Sequence, residues 1–148
     1  MKNLTFDVDI AAPVARVWDC MLDPIGYRDW TRAFCEGSYF DGSWAQGSRM
    51  RFLDPDGNGM EAVVEENRLH QRIALKLVGE LAEGRPAADS KAGTEPAHEI
   101  YEFSASAAGG GTHLTIRLQG WDDGFADMMA GIWPNALQRL KALSETPM

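Results

Sequence analysis

An apolar stripe in the last quarter of the chain limits the folds open to everything before it. From Phe125, apolar residues recur at Met128, Met129, Ile132, Trp133, Ala136, Leu137, Leu140 and Leu143. That is the i, i+3, i+4, i+7 spacing of one helix face. Asp122 and Asp123 stand at its start, where carboxylates cap free N–H groups and meet the positive end of the helix dipole. Arg139 and Lys141 lie toward the far end, where cations are favoured. At roughly 1.5 Å per residue the helix runs about 30 Å, the width of a small domain. A face that long needs a broad apolar surface against it, and most of the preceding chain reads as strands.

Residues 3–10 alternate, with Leu4, Phe6, Val8 and Ile10 on one side and Thr5, Asp7 and Asp9 on the other. Ala12-Pro13 opens a helix whose apolar face is Val14, Val17, Trp18, Met21 and Leu22, and Asp23-Pro24 stops it. A second short helical piece covers Ile25 to Trp30. Beyond it the pattern is a meander. Phe34 to Phe40 reads as a strand, and Met50 and Phe52 alternate with Arg49, Arg51 and Leu53. Asp54-Pro55-Asp56-Gly57-Asn58-Gly59 is a hairpin turn. Met60, Ala62 and Val64 then alternate against Glu61, Val63 and Glu65. A polar connection from Glu66 to Gln71 leads to Ile73, Leu75 and Leu77. Residues 82–97 carry almost no bulky apolar side chain and read as a long mobile surface loop. His98–Ser106 and Thr112–Gln119 are two further strands joined by Gly109-Gly110-Gly111. Short turns between consecutive strands imply antiparallel pairing. The expected architecture is therefore α+β. A curved antiparallel sheet of about six to seven strands wraps a long C-terminal helix, with two short helices after the first strand, in one domain over residues 1–148.

Charge narrows the partners. A formal net charge of −8 argues against nucleic acid, which needs a basic surface. No run approaches the ~20 apolar residues of a membrane span, and the alternating N-terminus does not read as a signal peptide. Cys20 and Cys35 form no C-x-x-C motif, so a reduced, cytoplasmic setting is expected, with both packed as small apolar residues. His70, His98 and His113 have no metal-ligand spacing, and no glycine-rich loop between strand and helix offers a phosphate cradle. Neither a metal nor a cofactor is expected.

The segments Ile10-Ala11-Ala12-Pro13-Val14-Ala15-Arg16-Val17-Trp18, Gly47-Ser48-Arg49-Met50-Arg51-Phe52 and Gly131-Ile132-Trp133-Pro134-Asn135-Ala136-Leu137-Gln138-Arg139-Leu140-Lys141-Ala142-Leu143 carry a resemblance over almost the whole chain, with Trp30 between the first two. The chain resembles the START-like, or SRPBCC, superfamily with its helix-grip fold, and within it the homologues of the heat-shock-protein ATPase activator. The resemblance implies a cavity between sheet and long helix. It also brings in polyketide cyclases, lipid carriers and chaperone activators, so it leaves chemistry open.

The helix face divides in a way that suits such a cavity. Phe125, Met128, Met129, Ile132 and Trp133 are large and adaptable, whereas Leu137, Leu140 and Leu143 suit a close-packed core. Pro134, at the join, removes one helix hydrogen bond and can bend the helix there. Trp30, Phe34, Met50, Phe52, Tyr101 and Phe103 complete the expected lining. His98 and Glu99 are the polar candidates. Alternation puts Glu99 on Tyr101's face, so either Glu99 is a buried carboxylate with a raised pKa or Tyr101 and Phe103 are exposed. No nucleophile is accompanied by a base. Three functions follow: binding of a small hydrophobic or aromatic ligand, a chaperone-activator or stress-response role with a protein partner or as a homodimer, and a cyclase- or dehydratase-like enzyme. The enzyme requires a buried titratable group among His98, Glu99 and Tyr101 facing the cavity.

Overall fold

Each alternating segment becomes a strand because one of its faces can be hidden. The computed structural model describes residues 2–86, 97–106 and 109–146. Its strands are β1 (Lys2–Ile10), β2 (Tyr39–Gly42), β3 (Arg49–Leu53), β4 (Gly59–Arg68), β5 (Arg72–Ala82), β6 (Arg85–Pro86), β7 (His98–Ala105) and β8 (Thr112–Trp121). The helices are α1 (Val14–Leu22), α2 (Pro24–Trp30) and α3 (Asp123–Glu145). The described strand pairs are antiparallel, in the order β1-β8-β7-β5-β4-β3-β2, with the two-residue β6 attached to β5. The result is the expected α+β arrangement, an open curved sheet gripping a C-terminal helix.

The inner sheet face is apolar throughout its centre. Ala62, Val64, Ile73, Leu75, Leu114, Ile116 and Leu118 are all fully buried. From α3, Trp133, Ala136, Leu137 and Leu140 pack onto this face, while Phe125, Met129, Ile132 and Leu143 are half-buried. The Asp122 side chain caps α3 by accepting from the Phe125 N–H at 3.3 Å. Pro134 lies inside this continuous helix, on its exposed side. At the other end the last carbonyls are satisfied by the Thr146 hydroxyl, which donates to the Ala142 oxygen, and by Arg16 of α1. Its guanidinium donates to the oxygens of Leu143, Ser144 and Thr146. The outer sheet face carries the charges. Arg51 pairs with Glu61, and Glu102 bridges Arg72 and Arg117.

Indoles close the end of α1. The Nε1–H groups of Trp30 and Trp44 donate to the carbonyls of Met21 and Leu22, which have no partner within the helix. α2 then crosses so tightly that a Cβ at Gly26 would lie 2.0 Å from the Cys20 carbonyl oxygen. Gly26→Ala is therefore expected to cost about 1–3 kcal/mol by overpacking, read as a lower urea midpoint at unchanged slope.

Three expectations need correction. Phe34–Phe40 is not a strand. Thr31–Ala33 is a single 3-10 turn, Ser38 donates to the Cys35 carbonyl from both its N–H and its Oγ, and Gly37 has φ 85°. Only Tyr39–Gly42 pairs with β3. The polar connection is also shorter than expected, because β4 runs to Arg68 past an irregularity between Val64 and Glu66. Finally, residues 82–86 do not belong to a loop. Ala82 pairs with Arg85 across a turn in which Glu83 and Gly84 both have positive φ. Of the expected loop, residues 87–96 lie outside the described residues. Cys20 is buried, but Cys35 is exposed. No helix among the described residues is long and apolar enough to cross a membrane.

Candidate functional site

Strand alternation and the two short helices leave a space that the core does not fill. Between α2, the N-terminal half of α3 and the inner face of the sheet lies a cavity of about 500 Å³. Its aromatic walls are Tyr27, Trp30, Phe34, Phe52, Tyr101, Trp121, Phe125 and Trp133. Met60, Leu77, Leu81 and Met129 add aliphatic surface, and Met128, half-exposed, stands at its edge. Thr31, Cys35, Ser38 and Asn58 supply neutral polar groups, and Asp54, Glu80 and Glu99 are the acids.

Of the residues singled out in the sequence, Trp30, Phe34, Phe52, Tyr101, Phe125, Met128, Met129, Trp133 and Glu99 come together here. Four others do not. Met50 is fully buried opposite Ala62, away from the space. Phe103 sits farther along the inner face against Trp18, with ring centroids 5.1 Å apart. Ile132 is half-buried but off the cavity. His98 belongs to the sheet's other face, where its Nε2 lies 3.0 Å from Glu65 in a polar hollow shared with Glu66 and Arg72. Sequence reasoning missed Tyr27 and Trp121. Tyr27 stands one residue beyond Gly26, whose tight crossing turns it inward. Trp121 follows Gly120, at φ 73°, and stacks on Phe125 with centroids 4.9 Å apart and planes 15° from parallel.

Glu99 is the chemically distinctive group. Its cross-strand neighbours are Leu75 on β5 and Leu118 on β8, both fully buried. It lines the cavity and is half-buried. This loss of solvent pushes its carboxyl up to about 7, and the hydrogen bond donated by the Tyr101 hydroxyl to Oε2 only partly opposes the rise. Burial and the nearby Glu99 carboxylate push Tyr101 well above the usual phenol range, and Tyr27 is raised for the same two reasons. Glu99 and Tyr101 thus meet on the cavity wall as a titratable pair. Among the described residues no other hydrogen bond engages the Glu99 carboxyl.

Trp133 joins the cavity to the core. It is 1% exposed and contacts the rings of Phe6, Trp30, Phe34 and Tyr101 at centroid distances of 6.4, 5.7, 5.2 and 6.1 Å. Its Nε1–H has no hydrogen-bond partner among the described residues. The indoles of Trp30, Trp44 and Trp121, by contrast, all donate to backbone carbonyls. No group of three or more His, Cys, Asp or Glu side chains among the described residues is arranged to hold a metal ion.

With this geometry in view, known proteins place the chain. Residues 11–145 match the family model described as Activator of Hsp90 ATPase homolog 1-like protein. A search of curated proteins returns no sequence match. Among solved structures, protein MLL2253 from Mesorhizobium loti superposes with a TM-score of 0.74 at 15% identity, covering 99% of this chain and 100% of that one. CalU16 from Micromonospora echinospora gives 0.69 at 19%, covering 96% and 75%. DynU16, a protein of the dynemicin biosynthetic locus, gives 0.73 at 17%, covering 99% of this chain and 48% of that one. At such identities the structural likeness speaks for the fold alone.

Proposed function

The chain belongs to the Activator of Hsp90 ATPase homolog 1-like family, and within that family we propose that it binds a small apolar or aromatic molecule in the cavity between α3 and the sheet. The observation that carries the reading is the cavity itself. Its volume of about 500 Å³ falls within the roughly 300–1,000 Å³ usual for ligand sites. Its wall is a continuous run of aromatic faces with a few convergent polar groups, the composition that buries a flat ligand and orients it. Met60, Met128 and Met129 are the wall residues best able to repack around different shapes.

The test is direct because Trp30, Trp121 and Trp133 line the space. A panel of hydrophobic and aromatic metabolites should contain ligands that change tryptophan emission and raise the melting temperature together. A ligand at a hundred times its Kd stabilises the fold by about 2.7 kcal/mol. Failure of every compound to move either signal at millimolar concentration would remove the reading. The Glu99–Tyr101 pair supports a second reading, proton transfer to or from the bound molecule, since a carboxyl titrating near neutrality suits general acid–base work. Recovery of the bound compound and measurement of its mass separate the two. An unchanged ligand supports binding, and a dehydrated or cyclised one supports chemistry.

A further inference from the structure

The charge of the cavity wall is one-sided. Among the described residues its lining includes three acids, Asp54 in the turn between β3 and β4, Glu80 on β5 and Glu99 on β7, and no Lys, Arg or His. The other described lining residues are aromatic, aliphatic or neutral. An anionic ligand would meet repulsion from the Glu99 carboxylate. A neutral apolar ligand would leave the Glu99 carboxylate facing a dry apolar body, a costly arrangement. A cation reverses both effects. Its charge offsets the carboxylate that the leucines on either side desolvate, and aromatic faces attract cations, indole most strongly.

We propose that the cavity selects an aromatic or polycyclic amine, with the protonated nitrogen against the Glu99 carboxylate and the flat body among Trp30, Tyr27 and Trp133. This rests on the binding reading above and names the ligand class that the same site takes. Tyr101 holds one carboxyl oxygen through its hydroxyl and so fixes the direction in which Glu99 presents its charge. Asp54 anchors its own turn, accepting from the N–H groups of Asp56 and Asn58 at 2.9 Å each. Its carboxylate adds to the negative sign that Glu99 gives the wall.

Binding is coupled to proton release, because the amine needs Glu99 ionised. Among the described residues, the ionisable groups around Glu99 on the cavity are Tyr101 on its own strand, Tyr27 from α2, Cys35 from the segment after α2, and Asp54 and Glu80. The tyrosines stay neutral well above neutral pH. The amine's affinity therefore rises as pH passes through about 7, the value for Glu99.

Three compounds of one shape test this with the full chain: 2-naphthylmethylamine, 2-acetylnaphthalene and 2-naphthoate. Affinities are read by calorimetry and tryptophan emission at about pH 8. The amine is expected to bind at least about tenfold tighter than the ketone, a difference of about 1.4 kcal/mol, and the carboxylate weakest. Glu99→Gln should erase the advantage of amine over ketone, and so should lowering the wild-type protein to about pH 5.5, which covers the case of a variant that folds poorly. An amine preference that survives both changes overturns the role of Glu99. A ketone or carboxylate that binds as well as the amine overturns the selection for cations while leaving ligand binding in place. If none of the three binds at millimolar concentration, both readings fall.

Discussion

Trp133→Ala is expected to cost about 3–5 kcal/mol of stability, the range for removing a large buried aromatic. The side chain is 1% exposed and lies between core and cavity, touching rings from β1, α2, the segment after α2 and β7. Its removal opens a void next to an existing space, where neighbours have little reason to collapse inward. Trp133→Phe separates packing from polarity. The indole N–H is buried with no partner among the described residues, and such a group costs about 1–3 kcal/mol. Phenylalanine keeps most of the ring contact and removes that cost, so its net effect should be much smaller than alanine's. Urea unfolding of the three proteins checks the order. A phenylalanine variant as unstable as the alanine one would mean that the indole nitrogen finds a partner in solution.

Glu99→Gln is expected to change the pH dependence of stability as well as its size. A carboxyl whose folded pKa lies above its unfolded value binds more protons when folded, so stability falls as pH rises. Here the fall begins near the ordinary value of 4.5 and is complete above about 7. At roughly 1.4 kcal/mol per unit, the group removes at most about 3–4 kcal/mol at alkaline pH, less wherever water in the cavity reaches the carboxylate. The glutamine variant should match the wild type near pH 4.5 and exceed it at about pH 8. Melting temperatures across that range give the result directly. Parallel curves for the two proteins would show that Glu99 is solvated in the folded state. A residue expected to lower stability at neutral pH while facing a cavity fits the binding site proposed above.

The large features were readable because they are periodic. The stripe on α3 and the alternation of β1, β4, β5, β7 and β8 each state which face is hidden, and the faces must meet. Alternation also reduced Glu99 to two possible environments, and the structure takes the buried one. What alternation cannot express is distance along a strand. Tyr101 and Phe103 share a face, yet one reaches the cavity and the other ends against Trp18 in the closed core. Met50 and Phe52 divide in the same way. The boundary is drawn by where α1 and α2 cross the sheet, a tertiary fact. Tyr27 and Trp121 were invisible for a related reason. Each follows a glycine, Gly26 at a tight helix crossing and Gly120 at positive φ, and neither sits in a pattern that names its face.

The strand order has a consequence in time. β1 is the first strand, but its pairing partner is β8, with Ile10 opposite Thr112 and Lys2 opposite Trp121. During synthesis the emerging β1 therefore holds Phe6, Val8 and Ile10 without a mate until nearly the whole chain exists. Contacts of such long sequence separation are slow to form, and an unpaired apolar strand is exposed to aggregation in the interval. The hairpins β3-β4, β4-β5 and β7-β8 can assemble early, whereas the docking of β1 and α3 closes the structure last. The cavity, whose walls include α3, is among the last parts of the molecule to appear. A ligand present at that moment would secure the final step, so the same compound that fills the finished protein should also raise the yield of folded chain.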